Sequence, residues 1–103
     1  MYARVLWGKV KMGMWDEFQR YYDEKVVPST ASMKGIKGRR LLRSLENPEE
    51  GISISLWETR EDMENYVKSP QRQEIARDGE KLYSGDYWVK HFEVKSSDVE
   101  LAR

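Results

Sequence analysis

The chain has 103 residues, 18 Lys and Arg against 18 Asp and Glu, and no cysteine. That length suits one domain burying about 65% of its unfolded surface. The balanced charge gives no global field to draw in nucleic acid or an anionic membrane, and the missing thiols exclude a disulfide framework, a thiolate metal site and a cysteine nucleophile.

Tyr2 to Lys11 is predicted to form the first strand, with Leu6 and Val10 on one face and Ala3, Val5 and Trp7 on the other. Arg4, Lys9, Lys11 and Asp16 interrupt what would be a signal region, and no run approaches the roughly 18 apolar residues of a membrane span. A cytoplasmic protein without membrane attachment is therefore expected.

After Gly13, the residues Met14, Trp15, Phe18, Tyr21, Tyr22 and Val26 follow a helical stripe. Pro28 is predicted to kink or end this helix near Val27, leaving Ser29 to Met33 as a loose turn before a left-handed Gly35. Ile36 to Leu45 reads as the second strand. Its Arg39, Arg40 and Arg43 are either a solvated edge paired with Glu46, Glu49 or Glu50, or forks for a carboxylate.

The turn around Asn47-Pro48 leads into a third strand, where Ile52, Ile54 and Leu56 alternate with Ser53, Ser55 and Trp57. The period then changes. Thr59 is placed to cap a helix over residues 60–68, with Asp62 reaching back to complete a capping box and Met63, Tyr66 and Val67 on its inner stripe. Ser69-Pro70 stops that helix and starts another, running to about Arg77 and closed near Gly79. Ser84-Gly85-Asp86 reads as a turn and Tyr87 to Val94 as the last strand.

The order strand, helix, strand, strand, helix, strand is that of a ferredoxin-like α+β domain: an antiparallel βαββαβ sheet with helices on one face. Residues 1–95 make up that domain and 96–103 a polar tail. The strands are apolar on both faces while helices cover only one, so a homodimer pairing sheet against sheet is expected.

Gly35 followed by Arg39-Arg40-Leu41-Leu42-Arg43, the Asn47-Pro48 turn, Ser55-Leu56-Trp57-Glu58, Tyr66-Val67-Lys68-Ser69-Pro70 and His91-Phe92-Glu93-Val94 together resemble the antibiotic biosynthesis monooxygenase superfamily. The resemblance implies a dimeric α/β barrel with a cavity between the sheet and the helix carrying Tyr66, walled by Leu6, Trp57, Met63 and Tyr66. It implies cofactor-independent oxygenation of a small aromatic or quinol substrate. The alternative is a non-catalytic module that binds a small apolar ligand or serves as a dimeric scaffold. The haem-degrading branch of the family carries an Asn, a Trp and a His that fall here at Leu6, Tyr66 and Ala76. None is kept, so haem breakdown is not expected and no cofactor is implied.

Two residues stand as catalytic candidates. Tyr66 could orient a phenolic oxygen, or be a core aromatic with its hydroxyl at the rim. His91, the only imidazole, could take a proton, or be a structural or exposed strand residue. One histidine does not make a metal site.

Overall fold

The computed structural model describes residues 1–97. Its elements run β1 (Tyr2–Val10), α1 (Trp15–Tyr21), α2 (Val27–Ala31), β2 (Ile36–Arg43), β3 (Glu50–Trp57), α3 (Arg60–Lys68), α4 (Pro70–Gly79) and β4 (Tyr83–Glu93). The four strands form one antiparallel sheet in the order β2-β3-β1-β4, the ferredoxin-like arrangement. The last residues of the expected tail, 98–103, lie outside the described residues. Among those described, no helix is long and apolar enough to cross a membrane.

The helices cover the more polar face of the sheet. Cross-strand register aligns Arg4, Leu6 and Gly8 of β1 with Ser55, Ser53 and Gly51 of β3 and with His91, Val89 and Tyr87 of β4. Arg39 of β2 pairs with Ser55 on this face. Ala3, Val5 and Trp7 share the opposite face with Ile52, Ile54 and Leu56. Among the described residues no helix covers that face, which leaves Trp88 38% and Phe92 46% exposed and Trp7 stacked on Trp88.

Two apolar clusters fill the space under the helices. Val10, Trp15, Phe18, Tyr22, Val26 and Leu82 make one, and Trp57, Met63 and Tyr66 the other. Gly51 permits the first: a Cβ there would come within 2.7 Å of the Trp15 ring. Gly35 takes the left-handed φ of +85° that ends the first helical region, and Asp62 packs directly against it.

The Ser69 cap forms as expected, while of the capping box expected at Thr59 only the hydroxyl half forms. Thr59 Oγ1 accepts from the Asp62 amide at 3.0 Å, and Ser69 Oγ from the Arg72 amide at 3.1 Å. Asp62 packs its side chain against Gly35, so the cap at Thr59 is carried by the hydroxyl.

Three expectations need correction. The first helix does not end at Pro28: it passes through a π turn at Tyr22–Val26 and continues to Ala31. There the Val27 amide donates to the Tyr22 carbonyl five residues back. This wider turn relieves the clash a proline ring makes with the carbonyl four residues before it. Ser84 to Asp86 is a bulge inside β4, not a turn before it. Gly85 has φ +118°, and the register with β1 jumps between Gly8 and Val10. The second strand stops at Arg43, where the chain turns back through Ser44.

Candidate active site

A cavity of about 290 Å³ opens between the two clusters, partly exposed to solvent. Phe18, Tyr22 and Val26 wall it on the side of α1 and the π turn, Tyr66 on the side of α3, and Leu6 and Ser53 from the sheet. The π turn thus has a local consequence, because Tyr22 opens it and faces the site.

Arg39 crosses the gap. Its Nε donates to Thr30 Oγ1 at 3.2 Å, its Nη1 to the Tyr22 hydroxyl at 3.0 Å and to Ser53 Oγ at 3.2 Å, and its Nη2 to the Tyr66 hydroxyl at 3.4 Å. Tyr22 and Ser53 bond each other at 2.8 Å. Every partner is a neutral hydroxyl, so the guanidinium is held in place without its charge being neutralised.

Arg4 is the second cation, only 7% exposed. Its Nε is buried without a hydrogen-bond partner. Burial and then Arg72 push its pKa down from the usual guanidinium range to about 10; Tyr66 opposes this and Arg39 adds to it. Both Arg4 and Arg39 lie within 6 Å of the Tyr66 ring, at 5.8 and 5.9 Å from its centroid. Burial also raises the hydroxyl pKa values of Tyr21 and Tyr83, which keeps these cavity phenols neutral.

A second, shallower cleft of about 520 Å³ lies where α3 meets the start of β1 and the end of β4, lined by Tyr2, Arg60, Met63, Glu64 and His91. Its larger volume reflects an open groove. His91 is exposed there, and burial of its ring together with nearby Arg4 lowers its pKa. Imidazole is thus uncharged near neutrality.

The residues named from sequence therefore divide. Leu6 and Tyr66 wall the first cavity; Met63 and His91 line the second cleft. Trp57 is fully buried behind Tyr66, stacked on it at 5.0 Å with its indole N–H on Ser55 Oγ, and supports the wall without forming it. Among the described residues, no three His, Cys, Asp or Glu side chains gather as a metal-binding group.

The family profile described as antibiotic biosynthesis monooxygenase matches residues 1–78. The chain belongs to that family. A search of the curated proteins returns no match. Solved structures of the same architecture include a Bordetella bronchiseptica protein assigned to the family. It is 23% identical, with a TM-score of 0.81 over 93% of this chain and 97% of the other. SnoaB from Streptomyces nogalater, a cofactor-independent oxygenase solved as a substituted form, is 16% identical, with a TM-score of 0.80 over 93% and 94%. A Deinococcus radiodurans relative is 11% identical, with a TM-score of 0.81 over 95% and 96%. At these identities the likeness carries the fold alone.

Within this antibiotic biosynthesis monooxygenase fold, Leu6, Tyr66 and Ala76 do converge on one cavity. The methyl group at Ala76 offers a metal no ligand at that point of the lining. Sequence reasoning missed Arg4 and left Arg39 between a solvated edge paired with glutamates and a fork for a carboxylate. The ion pairs among the described residues are Lys37–Glu58, Arg60–Glu64 and Glu93–Lys95, none of them with Glu46, Glu49 or Glu50. Parity was the available signal: Arg4 is in step with Leu6 and Val10, and Arg39 with Leu41, which packs against the first core cluster.

Proposed function

We propose that the protein is a cofactor-independent monooxygenase acting on a small aromatic or quinol substrate in the cavity between the sheet and α3. The observation that carries this reading is the aromatic-walled cavity with the Tyr66 hydroxyl held at its wall by Arg39. For an anthrone, loss of a proton gives an electron-rich anion. That anion passes one electron to oxygen, the two radicals join in a carbon–oxygen bond, and the resulting peroxide anion takes up the proton to become a hydroperoxide that loses water to leave the quinone. One oxygen atom ends in the product and one in water.

The protein's part is to position the substrate and shield it from bulk water. Tyr66 orients the substrate oxygen, and Leu6 and Phe18 supply apolar contact. Water at the partly open mouth can take the proton from the substrate and return it to the peroxide. His91 is set at the other cleft, so the chemistry is assigned to the Tyr66 side.

A homodimer belongs to the same proposal. The uncovered face carries Val5, Trp7, Ile52, Ile54, Trp88 and Phe92 with Arg40 and Lys90 among them, and a second copy laid sheet against sheet would remove its apolar side chains from water. Residence in the cytoplasm is also proposed, in keeping with the absence of cysteine.

Oxygen uptake tests the catalytic reading. Purified protein, free of added metal or flavin, should consume oxygen when given members of a panel of anthrones and quinols. Saturable binding of those compounds without uptake would mark a ligand-binding module instead.

A further inference from the structure

Arg4, Arg39 and Arg72 all line the cavity. Among the described residues, no carboxylate lies within ion-pair distance of any of them. Glu80 reaches the lining from an exposed position and forms no ion pair. A cluster of cations gathered under cover without a counterion is costly, because each charge gives up water while the hydroxyls and aromatic rings around it carry no neutralising charge. Arg39 spends its donors on hydroxyls, and Arg4 Nε finds no acceptor at all.

We propose that the cavity takes its aromatic ligand as an anion, a carboxylate or phenolate whose charged oxygen is held between Arg4 and Arg39. This rests on the reading of the cavity as the substrate site, and it names the class of substrate that reading left open. Such an oxygen supplies the negative charge that the protein withholds. The Tyr66 ring, within 6 Å of both guanidiniums, gives the aromatic body a surface to pack on. Burial, and then the like charge of Arg72, lower the Arg4 pKa, and an anion beside it would oppose that shift.

The probes are 2-naphthoate, its uncharged amide and 2-naphthol, titrated calorimetrically into the full chain at pH 8. Naphthoate should bind at least tenfold more tightly than the amide. Arg4→Met should remove most of that preference while changing amide affinity less than about twofold. Naphthol separates the two sources of charge. Absorbance of the bound naphtholate at a pH where free naphthol is neutral assigns the site to phenolates; binding of un-ionised naphthol beside tight naphthoate assigns it to carboxylates. Equal affinity for acid and amide with no ionisation of naphthol overturns the proposal, as does failure of both anions to bind. The wild-type ratio decides the matter even where a variant does not fold. None of these readings uses oxygen, so loss of the oxygenase reading and loss of the anion preference remain separate results.

Discussion

The Arg39 guanidinium donates to the Tyr22 hydroxyl at 3.0 Å, joining the second strand to the π turn across the roof of the cavity. Arg39→Met removes this bond and those to Thr30, Ser53 and Tyr66 together. The Tyr22–Ser53 bond survives the change, so the expected loss is moderate, about 1–2 kcal/mol. Urea unfolding measures it, and Tyr22→Phe should cost less.

Arg4 should behave in the opposite sense. Its folded pKa of about 10 lies below the ordinary range of a guanidinium in an unfolded chain. At pH below about 10 both states carry the charge and the burial penalty is complete; it fades as pH rises past the folded value, because the folded state sheds its proton first. Arg4→Met keeps the apolar stem and deletes the charge. It should raise stability at pH 7 by about 1–3 kcal/mol while weakening ligand binding, and a lower melting temperature than wild type would refute the account of Arg4.

Tyr66 and His91 separate under substitution. Tyr66→Phe keeps the stack on Trp57 and loses only the hydroxyl, so the fold should persist while turnover falls about 10–100-fold. His91→Ala, at the other cleft, should leave turnover within about twofold. Steady-state oxygen uptake by the two variants checks both statements, and a larger fall for His91→Ala would move the chemistry to the second cleft.

Gly35→Ala tests the joint between the first helical region and the sheet. The left-handed φ of +85° strains any side chain, and a Cβ would overlap Asp62. The cost should reach about 2 kcal/mol or more by thermal or urea unfolding.

Much of the architecture was written in local patterns. Alternation in Ile52 to Trp57, the Thr59 cap and the Ser69-Pro70 start each specify their element through nearest neighbours, and each formed. The helix running past Pro28 was not legible, because a π turn answers a clash that appears only when the helix is kept long by packing Tyr22 and Val26 into the core. The site was half legible. Aromatic residues such as Tyr66 announce a wall by their spacing, but Arg4 looks like any surface cation until both of its sheet neighbours and a covering helix are known. Sequence alone also left open which strand face the helices would choose. They cover the serines and arginines, leaving the isoleucine face uncovered.

That uncovered face gives its own prediction. Sedimentation velocity at micromolar concentration should report two subunits for the wild-type chain. Trp88→Glu, which sets a charge beside the Trp7 ring, should shift the protein toward a single subunit. A wild-type protein that sediments as one subunit would contradict the pairing.

The central claim is that this cavity carries out oxygenation with the substrate's own electrons. Turnover of an anthrone under isotopically labelled oxygen, in buffer treated with a chelator, tests it most directly. The account predicts labelled oxygen in the quinone and in water in equal amounts, with the rate cut by Tyr66→Phe. Unlabelled quinone, or a labelled one formed equally fast without protein, would contradict it.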